Sequence, residues 1–549
     1  MINNLFIRLK ALVEESWLYV VMYKAAYLFK LRIVIRPRIS KSLKLRAIST
    51  KYISEEKPLV VVPILETNHH MHLHILGMAK AFSVRGFEVL VIVCDEYLPA
   101  CEIKSCRTPL NMNPCFKCNS NRLHLLNSFG LETITLSSVF SKLENPVEYG
   151  EQVFKDYGLD QGWLNTTIED SVARYFYGAE SSFPQEDVLS IKQKHTDAAY
   201  MSLALGRLVL ESYSPSICFN VMRNYSAWGP IYHFFESVGV APITMTSTPF
   251  DFKSVRLNDS DLFRHRRTYE RFLSQRVNDE LSDTERNTLL RFLNTRKSGN
   301  DDLMKKWGYF DTSVIDDIGI DKSKKNVFLF TNIPWDVGLN EFAGPFEGVI
   351  DWVYQSIEYF KDDKEIDIWI KPHPAEVRST SKSAKSVGDF VRQKYPRLPQ
   401  NIHVIEPSLG LNTYGLFEFI DVGVILTGTL GIEMALDGIP VVSAGINPCY
   451  GLGLLSEPKD IEGYFEAIRS VDNVPHKKTQ LELFSYFYFI HQCFQWPLSD
   501  RSFGDNFLGF SFNEVHELES GKIDSLDAIF NEIELLIADY KGTVINNEK

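Results

Sequence analysis

"PLVVVPILETNHHMHLHILGMAKAFSVRGFEVLVIVCD", residues 58–95, sets the architecture. "PLVVVPIL" (58–65) is a short apolar run that reads as a buried strand. A polar loop follows, then the helical stretch "MHLHILGMAKAFSVRG", then a second strand, "FEVLVIVCD". Strand, helix and strand on short connections make a βαβ unit with a parallel sheet. The alternation continues through "LETITL", a helix-rich stretch around 166–212, "SICFNV", "AWGPIYHFFESVG" and "APITMT". An open α/β domain over 51–255 is expected.

Residues 256–322 differ. "RHRRTYERFLSQRVNDELSDTERNTLLRFLNTRKSGNDD" is charged and helical, the pattern of a connector on the surface. Alternation restarts with "NVFLFT", "FEGVIDWVYQSIEYF" and "DIWI", then "IHVI", "DVGVIL", "LGIEMALDG" and "IPVVSAG", predicting a second α/β domain over 323–480. Aromatic helical segments, "LFSYFYFIHQCF" and "SLDAIFNEIELLIADY", occupy 481–549. The expected fold class is α/β, with two Rossmann-like domains facing a cleft, a helical connector and C-terminal helices. Ligands of open α/β sheets bind outside the carboxyl ends of the strands, so residues just after strands are the candidates.

At 549 residues the chain is too long for one core. Its net charge of −12 argues against a general nucleic-acid binder, which needs clustered Lys and Arg. The charge is uneven: residues 1–51 hold eleven Lys or Arg against Glu14 and Glu15. Within the N-terminal arm (1–50), "WLYVVMYKAAYLF" (17–29) is apolar except for Lys24. It is shorter than the ~20 residues a bilayer span requires, and no cleavage site of a signal peptide follows. Two readings stand. One is a helix packed on its own domain. The other is a membrane-surface anchor, with Trp17, Tyr19, Tyr23, Tyr27 and Phe29 at the lipid boundary. Eight cysteines without an export signal imply a reducing, cytoplasmic setting without disulfides. The anchor reading adds a peripheral position on the inner face of the membrane.

In "IWIKPHPAE" (368–376), Pro372 and Pro374 hold Lys371 and His373 extended. Residues i and i+2 of an extended segment face one side, so a cation and an imidazole leave the strand end together. That pair suits a phosphate; the alternative is a strand stop with a locally bonded histidine. In "DVGVILTGTLGIEMALDGIPVVSAG" (421–445), a strand runs into Thr427-Gly428-Thr429-Leu430-Gly431 and then a short helix. A helix N-terminus offers unpaired amides and partial positive charge to an anion. Gly428 and Gly431 allow close backbone approach, and Thr427 and Thr429 add hydroxyls. Glu433 in the first turn would repel a phosphate, so it is expected to bind ribose hydroxyls or pair with Lys371. The plainer alternative makes Thr429 an N-cap. Together the two stretches point to a bound nucleoside mono- or diphosphate.

"IKPHPAE", "LTGTLGIEMALDGIPVVSAG" and "NPCYGLGL" resemble the capsule polysaccharide biosynthesis family of glycosyltransferases, which includes bacterial Kdo transferases. "FLFTNIPWDVG", with Trp335 and Asp336, looks like a further motif of that family. The likeness covers most of 325–490 and is looser before it. It implies a GT-B fold, a nucleotide-sugar bound by the C-terminal half, and a glycan or lipid-linked glycan acceptor bound by the N-terminal half. Donor-binding roles then fall to Thr427, Gly428, Thr429, Gly431, Glu433, Glu376, Trp335 and Asp336. Related bacterial sialyltransferases hold the phosphate of a CMP-sugar with an "HP" and a hydroxyl-rich motif, which His373-Pro374 and Thr427/Thr429 match. Their acidic pair followed by glycine, which supplies the base, has no match here.

Metal-independent transfer, with no cofactor required for catalysis, suits these residues, since Lys371, His373, the threonines and the helix N-terminus would stabilise the departing phosphate, and His373 could protonate it. A base from the first half is sought in "ETNHHMHLH" (66–74), where Glu66 and His70 are the candidates, with His69 also in the loop and His72 and His74 entering the helix. "DSD" (259–261) reads as an N-cap and not as the metal motif of another transferase fold. Cys101, Cys106, Cys115 and Cys118, in "CEIKSCRTPLNMNPCFKC", fit a structural zinc knuckle or, alternatively, thiols buried under a loop. Rival functions are a CDP-alcohol polyol-phosphate transferase, a sugar-nucleotide epimerase of the same fold, and a non-catalytic assembly protein.

Overall fold

A computed structural model of the chain describes residues 58–65, 69–107, 114–116, 118–119, 129–220, 222–247, 254–258, 266–299, 318–336, 338–339, 341–378, 382–470, 477–498 and 515–547, with 21–22 and 24–25 of the arm. The first sheet is built from β1 (Leu59–Ile64), β2 (Glu88–Val93), β3 (Glu132–Thr135), β4 (Ile217–Asn220) and β5 (Ala241–Ser247), parallel in the order β3-β2-β1-β4-β5. β6 (Ser254–Asn258) adds antiparallel to β5. The second sheet holds β7 (Lys325–Phe330), β8 (Ile366–Lys371), β9 (Ile402–Val404), β10 (Val422–Ile425) and β11 (Val441–Ser443), all parallel, in the order β9-β8-β7-β10-β11. Both lobes therefore repeat one Rossmann order, 3-2-1-4-5, and the order reverses at β1/β4 in one and at β7/β10 in the other.

The strands are recognisable in sequence because they are covered on both faces. β8 is buried along its whole length, and β1 and β7 are buried except at their first residues. Strands of that kind read as continuous Val/Ile/Leu runs. Loops at the carboxyl ends of the two sheets face each other. Arg223, after β4, pairs with Glu341, beyond β7, at 3.1 Å. The Gly338 amide donates to Asp170 Oδ2 at 3.0 Å, and the Ala384 amide donates to the Tyr177 carbonyl at 3.1 Å. The molecule is a two-domain, GT-B-like α/β protein.

Two expectations change. The helix after β1 begins at His69, so His69 and His70 belong to it and not to the loop. The charged connector is no surface appendage: in the helices Arg266–Ser274 and Asp283–Lys297, Tyr269, Phe272, Leu289 and Leu293 are buried in one cluster with Phe484 and Phe487. Their charges occupy the outer side of amphipathic helices. The "DSD" at 259–261 lies outside the described residues.

The C-terminal segments return to the first lobe. β12 (Phe494–Gln495) pairs antiparallel with β6. The helix Asp524–Asn547 contributes Leu526, Ile529, Phe530, Ile533 and Leu536 to the core that contains Val60, Phe82 and Phe219. No helix among the described residues is long and apolar enough to cross a membrane. The apolar arm lies almost wholly outside the described residues; within it, the Lys24 ammonium sits 5.3 Å from the centre of the Phe116 ring.

Candidate functional site

Three strand ends meet where the second sheet reverses order. β7 lies between β8 and β10, so Thr331-Asn332, Pro372-His373 and Thr427-Gly428-Thr429 leave the same edge side by side. The Thr331 backbone amide donates to the Lys371 carbonyl at 3.1 Å, and the Asn332 side chain donates through Nδ2 to the Thr427 carbonyl at 3.4 Å. The chain thus brings the Lys371/His373 pair and the threonine–glycine turn to one crevice.

Lys371 is the buried last residue of β8. His373 follows, partly accessible, with its Nδ1 accepting the Ala375 amide at 3.1 Å. That bond puts the ring proton on Nε2. Burial, and next the Lys371 charge beside it, pull His373 down to about 4. At neutral pH the imidazole is therefore an uncharged hydrogen-bond donor, and Lys371 carries the positive charge of the pair.

Two hydroxyls on this edge are buried without partners. They are Thr331 Oγ1, from the end of β7, and Thr427 Oγ1, from the end of β10. Asn332 Oδ1 is likewise unpartnered. Buried polar atoms are nearly always satisfied in folded proteins, and three of the unpartnered ones among the described residues share this crevice. Gly428 has φ +119°, in the region that favours glycine, and a side chain there would point into open space. At Gly431 a Cβ would meet Ile425 at 2.4 Å, so this glycine lets the helix Leu430–Leu436 sit close on β10.

Glu433 departs from expectation. It pairs with neither Lys371 nor solvent: 1 % exposed, it forms a two-pronged ion pair with Arg296 of the connector at 3.1 and 3.2 Å. The Tyr414 hydroxyl and the Thr429 hydroxyl, the latter at 3.0 Å, also donate to it. A carboxylate this deep needs a cation and several donors, and the connector supplies the cation. Thr429 occupies the N-cap position but caps nothing, because its hydroxyl is spent on Glu433.

Trp335 and Glu376 hold the frame of the cleft. The Trp335 ring meets Tyr177 of the first lobe edge-on at 5.3 Å, its indole N–H donates to Ser383 Oγ at 2.9 Å, and the Arg174 guanidinium lies 4.9 Å from it. Glu376 accepts the Val387 amide at 2.9 Å, with the Ser383 hydroxyl beside its carboxyl. Burial pushes Glu376 up to about 8, so it holds its proton at neutral pH. Asp336 is exposed in the cleft, near enough to Tyr225 of the first lobe to add to the upward push that burial gives that phenol.

Glu66 lies outside the described residues, and His70 is placed by its backbone alone, at the start of the helix after β1. The four cysteines are not gathered into one ligand set: among the described residues no three or more His, Cys, Asp or Glu are grouped to hold a metal. Cys101 is buried and the other three half-buried. The Cys106 amide is fastened to the Tyr175 carbonyl at 3.0 Å, which ties this end of the loop to the neighbouring helix. Sequence reading missed Thr331, Asn332 and Arg296. "TN" directly after "FLF" was a usable signal for the first two; Arg296 carried none, since its partner lies 137 residues away.

No family model and no curated protein sequence matches the chain. Among solved structures it is similar to the Thermosulfurimonas dismutans KpsC beta Kdo 2,4 transferase, with 14 % identity over 50 % of this chain and 79 % of that one and a TM-score of 0.33. It is also similar to the Neisseria meningitidis UDP-GlcNAc 2-epimerase, with 10 % identity over 79 % of this chain and 92 % of that one and a TM-score of 0.21. For CalG4, the calicheamicin glycosyltransferase, the values are 11 %, 78 %, 95 % and 0.23. These likenesses are loose, and the assignment of the fold rests on the strand order of the two sheets.

Proposed function

We propose that the chain is a glycosyltransferase that moves a sugar from a nucleotide-activated donor, with a CMP-sugar among the candidates, to a surface polysaccharide or a lipid-linked glycan. What supports this is the pair of unpartnered threonine hydroxyls, Thr331 and Thr427, beside Lys371 and His373 at the reversal of strand order. A leaving phosphate seated there gains the Lys371 charge, the His373 Nε2–H, both hydroxyls and the amides of the 428–431 turn. Donors set where negative charge develops lower the barrier most. In this reading the counter-charge is the chain's own, and EDTA leaves turnover unchanged.

The acceptor enters from the first lobe, and Glu66 or His70, following β1, takes its proton. Glu66→Gln or His70→Ala then lowers kcat about 10²–10⁴-fold. The first test is thermal unfolding with CMP, CDP, UDP and GDP. One nucleotide at 100 times its Kd stabilises by about 2.7 kcal/mol, and His373→Ala removes that shift while the unliganded melting temperature stays put. An unchanged shift excludes the histidine from the site. Turnover of a donor with no acceptor present would replace transfer by epimerisation.

A further inference from the structure

A small apolar cluster adjoins the candidate histidine, and both lobes build it. Ile333 and Trp335, from the loop after β7, pack with Ala375, and Ala173 and Tyr177 of the first lobe close the cluster from the other side. Ala375 is wholly buried, and its amide is the donor to His373 Nδ1 at 3.1 Å. The bond that leaves the ring proton on Nε2 is therefore made by a residue held in the contact between the lobes.

A second line of contacts runs to the same place. The Trp335 indole N–H ends on Ser383 Oγ at 2.9 Å. The Ser383 amide donates to the Glu376 carbonyl at 2.9 Å, and the Glu376 amide donates to the His373 carbonyl at 3.0 Å. Ala384, the residue after Ser383, is bonded through its own amide to the Tyr177 carbonyl. Both routes from the first lobe to His373 thus begin at Tyr177.

The backbone at Tyr177 is unusual. It caps the helix Gln161–Phe176 with φ +54°, a left-handed region where helices commonly end on glycine or asparagine. A tyrosine kept there bears strain, and its ring has a use that offsets it. The ring meets Trp335 edge-on, with the Arg107 and Arg174 guanidiniums 4.0 and 4.9 Å from its centre. The next residue, Gly178, comes so near that a Cβ on it would meet Trp335 Cδ1 at 3.2 Å. We propose that Tyr177 is a positioning residue for His373: the first lobe, acting through Trp335 and Ala375, fixes the tautomer and seat of an imidazole that belongs to the second. His373 serves the crevice in the function proposed above, and this role for Tyr177 rests on that reading.

The test is an NMR titration of the full chain with isotope-labelled histidine and no nucleotide, the His373 signal being identified by its loss in His373→Gln. Lys371 is the charge that acts on this ring, and none of the replacements below adds another. In Tyr177→Asn, which suits the backbone there, the His373 midpoint rises toward the ordinary 6.5 by about one pH unit, the scale of one hydrogen bond to the neutral ring. The Nδ1 signal then shows both tautomers. Trp335→Leu, on the other side of the contact, does the same, whereas Tyr177→Phe keeps the ring and the parental values. His403, on β9 of the same sheet, is the control and stays put throughout. An unmoved His373 in folded Tyr177→Asn or Trp335→Leu, His403 moving with it, or Tyr177→Phe behaving like Tyr177→Asn each overturns the proposal. Because nucleotide is absent, its failure and that of the nucleotide-binding test are seen separately.

Discussion

Glu376 exchanges a proton on folding, and the sign of the effect is fixed by its burial. Its folded value of about 8 lies above the ordinary 4.5, so between those values the folded chain keeps a proton that the unfolded chain releases. Stability from this group is complete below pH 4.5 and is lost as the pH rises through 8. Glu376→Gln preserves an acceptor for the Val387 amide and cannot ionise. Its melting temperature is therefore expected to gain on the parent chain from pH 5 to pH 8.5; parallel profiles contradict the assignment. His373 shifts the other way, and its neutrality makes the Nε2–H a donor whose value to a phosphate rises once the anion is bound and draws the imidazole pKa upward.

Among elements, the connector helix Asp283–Lys297 determines how the helix Leu430–Leu436 is seated. Arg296 neutralises Glu433 at its start, and Lys297 pairs with Asp437 at its end. Arg296→Ala leaves a buried carboxylate unpaired and costs about 3–5 kcal/mol, read from the urea midpoint. Arg296→Ala with Glu433→Gln is less damaged than Arg296→Ala alone, since the stranded charge is gone; a double variant as unstable as the single one refutes the pairing. This contact shows where sequence reading stops. β1, β7, β8 and β10 were legible because covered strands are written as uninterrupted apolar runs. The proline-held Lys371/His373 and the turn after β10 were legible because their backbone demands are local. Arg296 looked like one more solvated charge among many, and nothing near it in sequence names Glu433. The two-residue β12 was equally silent, as its register is set by β6, some 240 residues earlier.

At the scale of the molecule, the first lobe is not a self-contained segment. Its core takes Trp496, Leu498, Val515, Leu518 and five residues of the last helix, each a buried apolar group whose loss costs a few kcal/mol. A fragment of residues 58–258 is expected to lack a cooperative thermal transition by near-UV circular dichroism; a sharp melt shows the return to be dispensable. The second sheet, by contrast, draws all its strands from the single stretch 325–443.

That return reverses the usual timetable of synthesis. On a ribosome the half that emerges first is the half completed last, for it must wait some 280 codons, roughly 15–55 s at ordinary elongation rates, before its closing helix exists. Throughout that interval a nascent chain carries an unfinished apolar platform, and a chaperone that shields it meets its need earliest at the amino-terminal end.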